Sequence, residues 1–329
     1  MLLGFAFFIL INFLSSAEVI YGVDNRHDLY QVSDPLLVKA ARASAAMVHQ
    51  SFIAYDSYHS EIYFTRETLK ERKKLCSGER FAEQQAVADC SGFLIAPDLL
   101  VTAGHCFMQQ SDCDEYHWVF DMAIHRPGET HPRVSPQQIY SCAEVITRQL
   151  TFSEDGSTVF QSSVSQSFGS QSFGSSRGRN RTAEPTDPLD RISGHADDYA
   201  VIRLNRPVLD REPLKMNLSH RPSLSTEVAL VGFPSGMPLK VAANAHIVSL
   251  RERFFTATVD AFRGNSGGAV INRMTGEVEG ILVRGREDYL KFPDPSHPDN
   301  YCRRVNVLSP NTNSAEHVSY ISNIAYLFE

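Results

Sequence analysis

The chain has 329 residues, 43% hydrophobic and 21% charged, which suits a water-soluble folded protein and leaves room for one large domain or two small barrels. Its net charge of -7, with no Lys/Arg-rich run standing out, gives no reason to expect a nucleic-acid partner. In chain order, residues 2–14 form an apolar run too short to span a bilayer, and Ser15-Ser16-Ala17 follow it. This reads as the hydrophobic region and small-residue cleavage site of a secretion signal at residues 1–17, against the alternative of a short buried helix. The reading predicts a secreted protein, extracellular or periplasmic, with no membrane association after the leader is removed. Residues 18–44 read as an N-terminal arm, extended to about residue 37.

Short apolar runs then alternate with turn residues. CSGFLIA (90–96), LLVTA (99–103), WVFD (118–121) and YSCAEVIT (140–147) read as strands, as do YAVIRL (199–204), EVALVGF (227–233), AHIVSL (245–250) and FFTATVDAF (254–262). AVINRMTGEVEGILV (269–283) reads as a hairpin, and NIAYLFE at the C-terminus as a short helix. Many short strands at hairpin spacing predict an all-β barrel or sandwich. Residues 153–187 are rich in Ser, Gly and Gln and contain a tandem QSFGS, a composition that cannot bury enough apolar surface to fold. They read as a disordered surface insertion.

Six cysteines in an exported chain read as up to three disulfides, and no pair of C-x-x-C motifs suggests a structural zinc site. A bridge between Cys90 and Cys106 would staple the CSGFLIAPDLLVTAGHC hairpin, at whose end His105 stands. Cys113 and Cys142 flank neighbouring strands and suggest a second pair, leaving Cys76 with Cys302, although four cysteines allow three connectivities.

Three stretches carry chemistry. TAGHC (102–106) places His105 just after an apolar strand. DDYAVIRL (197–204) puts a carboxylate at a strand entrance, where it can accept an imidazole N–H; Asp198, next to the apolar run, is chosen over Asp197. GNSGG (264–268) reads either as a plain turn or as a tight loop that presents Ser266 while the N–H groups of Gly264 and Ser266 converge on one point.

TAGHC, DYAVIRL and GNSGG, in the order His, Asp, Ser, resemble the motifs of a chymotrypsin-clan serine endopeptidase, over about residues 45–327 without the Ser-rich insertion. VGFPSGMPLK (231–240) and VEGILVRG (278–285) are similar to stretches of the second barrel of secreted bacterial trypsin-like peptidases, the branch that includes glutamyl endopeptidases. The resemblance implies two packed six-stranded antiparallel β-barrels with a short C-terminal helix. The first barrel would occupy residues 45–152, with its Asp-bearing strand and the start of the crossover at 188–210, and the second residues 211–329. It also implies His105, Asp198 and Ser266 as the triad, Gly264 and Ser266 as the oxyanion hole, the Cys90–Cys106 disulfide, and a monomer that acts on protein or peptide substrates without metal or cofactor.

Asp260, six residues before Ser266, matches the position at which trypsin-like members bind Lys or Arg, so a basic preference is expected. Leu282 stands where glutamyl endopeptidases carry a histidine, and Arg263, Arg284 and Gly285 are expected beside the substrate. The arginines point the other way, toward acidic groups. Asn265 replaces the aspartate that pairs with a new N-terminus in animal members, so that ion-pair switch is not expected. GNSGG also satisfies the G-x-S-x-G elbow of α/β-hydrolases, but the strand–helix alternation is missing. A binding protein on the same fold is the non-enzymatic alternative.

Overall fold

The computed structural model describes residues 20–109, 111–150, 197–285, 288–295, 297–309 and 315–329. The leader and the Ser/Gly-rich insertion expected at 153–187 lie outside the described residues.

Six strands close the first barrel: β1 (Ser44–His49), β2 (Cys90–Ala96), β3 (Leu99–Thr102), β4 (Tyr116–Phe120), β5 (Ile139–Leu150) and β6 (Asp198–Leu204). Their order around the barrel is β1-β4-β5-β6-β3-β2, all antiparallel. Six more close the second: β7 (Glu227–Gly232), β8 (Lys240–Leu250), β9 (Phe254–Ala257), β10 (Ala269–Asn272), β11 (Val278–Arg284) and β12 (Glu316–Tyr320). They run β7-β10-β11-β12-β9-β8 and close through β7–β8, which is the same wiring repeated. The expected double barrel is therefore present, and a 3₁₀ helix, Ile321–Leu327, ends the chain.

The strands form because β-branched and aromatic residues fill them and both faces of the central ones are buried. β2 and β6 are buried at almost every position, and Phe93, Trp118 and Phe120 are fully enclosed. At roughly 1.5–3 kcal/mol per fully buried large side chain, this core is the main stabiliser. One apolar cluster contains Phe93 and Val101 of the first barrel together with Val231, Ile271 and Ile281 of the second, so the barrels share a continuous core.

Several elements differ from the sequence reading. The arm is not extended throughout. α1 (Pro35–Arg42) starts at Asp34, whose side chain accepts from the Leu36 N–H, has Pro35 at its first position, and buries Leu37, Ala40 and Ala41. Before α1, Ile20–Tyr21 pairs in parallel with Val307–Leu308, and Arg26–Asp28 pairs with β8. The run 254–262 is strand only to Ala257, because beyond it the chain turns inward and buries Asp260. The barrels also carry excursions missed in the sequence. Ile53–Asp56 and Glu61–Phe64 form a hairpin, and α2 (Leu69–Lys73) follows it before β2. A second hairpin, Tyr289–Asp294 with His297–Val305, leaves the end of β11.

All six cysteines are bridged: Cys90–Cys106, Cys113–Cys142 and Cys76–Cys302. The last ties α2 to the second hairpin, where the backbones also meet: Cys76 N–H donates to Arg303 O at 2.9 Å and Arg303 N–H to Lys74 O at 2.8 Å. No helix among the described residues is long and apolar enough to cross a membrane.

Candidate active site

β3 ends at Thr102 and delivers His105 in a single 3₁₀ turn, Gly104–Cys106, stapled to β2 by the Cys90–Cys106 bridge. Gly104 is required for close approach: a Cβ there would lie 2.1 Å from Gln149 O. Asp198, only 1% exposed, opens β6 and grips the histidine twice. Its Oδ1 accepts the His105 backbone N–H at 3.0 Å, and its Oδ2 meets Nδ1 at 2.9 Å. A carboxylate only accepts, so Nδ1 carries the hydrogen and Nε2 keeps a lone pair directed into the cleft. The adjacent Asp197 is taken up elsewhere, in a two-point contact with Arg253 at 2.7 and 2.9 Å.

Ser266 sits in the loop between β9 and β10 of the second barrel and lines the same cleft as His105 and Asp198, a recess of about 700 Å³. No hydrogen bond joins its Oγ to the ring among the described residues; such contacts often tighten only with substrate in place. The backbone around it is fixed. Gly264 has φ 101°, open to glycine and strained for other residues. Arg263 O accepts from Ser235 N–H at 2.6 Å, so the Gly264 N–H of the same trans peptide points the opposite way. Neither the Gly264 N–H nor the Ser266 N–H has a partner among the described residues. Ser91 of β2 holds this loop from across the seam. Its N–H donates to Ser266 O (2.8 Å), its hydroxyl donates to Gly264 O (2.7 Å), and the hydroxyl accepts from Phe233 N–H (3.0 Å). Nothing in the sequence reading singled out Ser91.

Asp260 is not where the basic-specificity reading needs it. It is 1% exposed, with Oδ1 accepting the Tyr21 N–H at 2.9 Å and Oδ2 the Asn25 N–H at 3.0 Å, and it is absent from the cleft lining. Burial pushes its carboxyl up to about 6. The Tyr21 hydroxyl also donates to Glu316, which lies directly behind Gly285; a Cβ there would stand 2.3 Å from Glu316 Oε2. The N-terminal segment is thus docked on Asp260 and Glu316, not on Asn265. Arg263, Leu282, Arg284 and Gly285 do line the cleft.

The cleft also holds cations the sequence reading passed over: Arg72, Lys73 and Arg303. Lys70, Arg72, Lys73 and Lys74 form a basic stretch, but Glu71 interrupts it and the fold that brings it to the cleft is set by a long-range disulfide. Asp288 is the opposing acid, accepting the Arg263 N–H at 3.0 and 3.2 Å, and burial lifts its carboxyl to about 6. Burial depresses the ammonium of Lys73, and the neighbouring guanidinium groups of Arg72, Arg263 and Arg303 push the same way against Asp288. Cys90, His105 and Cys106 place ligand-type atoms within 4.8 Å of one another, but both sulfurs are spent in the disulfide and have no thiolate to offer a metal.

A family model of the trypsin-like peptidase domain matches residues 90–281. The chain belongs to this family. The peptidase is of the serine type, a hydrolase on the chymotrypsin-like double barrel. Among solved structures it is similar to the VesB protease of Vibrio cholerae, 12% identical, over 94% of this chain and 67% of that one, with a TM-score of 0.47. The active form of the Rv3671c protease from M. tuberculosis is 13% identical over 96% of this chain and 92% of that one, with a TM-score of 0.41. No curated protein matches the chain.

Proposed function

We propose that the peptidase is a secreted endopeptidase that cleaves peptide bonds through His105, Asp198 and Ser266. Ser266 Oγ attacks the scissile carbonyl while Nε2 of His105 takes its proton, and Asp198 stabilises the imidazolium that results. The developing oxyanion is held by the N–H groups of Gly264 and Ser266. His105 then protonates the departing amine, and water, activated by the same ring, hydrolyses the acyl-enzyme. The observation that carries this reading is the two-point grip of Asp198 on His105 in a cleft shared with Ser266 and its two unpartnered N–H groups. Secretion is supported by the leader composition and by the bridging of every cysteine.

A preference for Lys or Arg loses its support because Asp260 serves the N-terminal segment. Five cations line the cleft, Arg72, Lys73, Arg263, Arg284 and Arg303, against the acids Asp198 and Asp288, which favours substrates with acidic residues near the scissile bond. A fluorophosphonate probe should label the protein at one site, with labelling abolished by Ser266→Ala. It should slow by roughly 10³–10⁴-fold in Asp198→Asn and stay near wild type in Asp197→Asn. Full labelling of Ser266→Ala would overturn the assignment.

A further inference from the structure

Ser266 has two unlike sides. On one lie the apolar wall Ala261–Phe262 and the strand end Val283–Gly285. On the other is a second recess, lined by Ala88, Asp89, Cys90, Ser235 and Gly264; His105, Arg72, Lys73 and Arg263 stand between the two and line both. His105, which must hand its proton to the departing amine, lines both recesses, and the Cys90 wall beside it belongs to the second alone, so the segment beyond the scissile bond is assigned to that recess. The strand end opposite is left for the acyl half.

The charges of the second recess are unbalanced. Asp89 is the one carboxylate among its lining residues, and it is shared: Arg66 takes it at 3.0 Å and Arg72 at 3.4 Å. Arg72 otherwise donates to Ala86 O at 2.9 Å, a neutral acceptor. Lys73 and the exposed Arg263 have no carboxylate within ion-pair distance among the described residues; Asp288, which accepts the Arg263 backbone N–H, acts on both from farther off, and the ammonium of Lys73 stands 5.8 Å from the Tyr289 ring centroid. These cations are not on a floppy loop. α2 is capped by Thr68 and Glu71, its end is bridged to the second hairpin by Cys76–Cys302, and Arg303 ties back to Lys73 O at 2.9 Å. Mutually repelling cations held in place by a capped helix and a disulfide make a preorganised anion site, since the cost of gathering them is met in folding and not in binding.

We propose that this lip, made of Arg72, Lys73 and Arg263, binds acidic side chains of the substrate at the first positions after the scissile bond. It rests on the endopeptidase reading above for the direction in which the chain leaves. The recess holds about 380 Å³, so it suits one or two carboxylates of a peptide more than a long polyanion.

The test separates binding from turnover. Ser266→Ala protein is titrated with two product-like peptides having free N-termini, Glu-Glu-Ala-Leu and Gln-Gln-Ala-Leu, at low and high salt. The acidic peptide should bind roughly tenfold tighter at low salt, with the advantage shrinking as salt rises. Lys73→Gln and Arg263→Gln should each cut that ratio about two- to fivefold, as expected for partly exposed charge pairs. In parallel, cleavage-site profiling of the active protein on a peptide library should show Glu and Asp enriched after the cut. Equal binding of the two peptides, or a heparin affinity far above that of the acidic peptide with no Glu-over-Gln ratio, would overturn the lip as a peptide site. Failure of the probe to label the wild-type protein, with the Glu-over-Gln ratio of Ser266→Ala intact, would instead overturn the endopeptidase reading and leave the binding site standing.

Discussion

Three buried aspartates have three different employments, set by what each accepts. Asp198 takes both the backbone and the ring N–H of His105, Asp260 takes two backbone N–H groups of the N-terminal segment, and Asp288 takes the Arg263 N–H. For Asp288, burial outweighs the hydrogen bond and the nearby cations, so its carboxyl gains a proton at about 6 in the native state, against 3.8 in the unfolded chain. Between those values the native state binds more protons than the unfolded one. Stability therefore falls as pH rises from about 4 to 6, by an amount on the order of 3 kcal/mol for this group. Asp288→Asn keeps an acceptor for the Arg263 N–H and removes the charge. Its melting temperature should change less between pH 4.5 and 7.5 than that of the wild type, as followed by differential scanning calorimetry; an unchanged or steeper fall would contradict the assignment.

Among the elements, legibility in the sequence followed locality. Strands with nearby partners, such as β2 with β3 and β10 with β11, announce themselves because alternating apolar residues and a turn lie within a few residues of each other. His105, Asp198 and Ser266, the proposed triad, stand in short stretches whose local chemistry is unusual, which is what makes them candidates in the sequence. Asp260 could not: its partners, Tyr21 and Asn25, are more than two hundred residues away, and only the folded chain brings them near. Arg72 and Lys73 of the cationic lip escaped for the same reason, since α2 is tied to the second hairpin by a disulfide that spans 226 residues, whereas Arg263, close to Ser266, was expected beside the substrate. Removing that bridge in the paired variant Cys76→Ser with Cys302→Ser should cost about 2–5 kcal/mol in chemical denaturation. The Glu-over-Gln binding ratio should fall with it, while the rate of probe labelling stays close to wild type. A retained ratio would show that α2 holds its place without the bridge.

At the scale of the molecule, the site is divided between two barrels of the same wiring, with His105 and Asp198 from one and Ser266 from the other. The shared apolar cluster presses the barrels together, but it is non-directional and sets no register along the seam. Directional bonds do: Ser91 makes three into the Phe233 and Gly264–Ser266 backbone, and the Val87 and Ala88 N–H groups both donate to Gly236 O. Ser91→Ala keeps the backbone bond and loses both hydroxyl bonds, leaving the buried Phe233 N–H unpaired. A stability loss of roughly 1–3 kcal/mol is expected, together with a fall in kcat of at least tenfold and a smaller change in KM. An unaltered kcat would show that the loop is held in register by other contacts.

The Ser91 bolt also makes enzymatic activity a gauge of alignment. In rising urea the barrels can slip by a fraction of an ångström while each keeps its own ladder of hydrogen bonds. Hydrolysis would then fade before circular dichroism records any loss of strand, and the interval between the two curves would measure how firmly the bonds across the seam, those of Ser91 among them, set the two halves true.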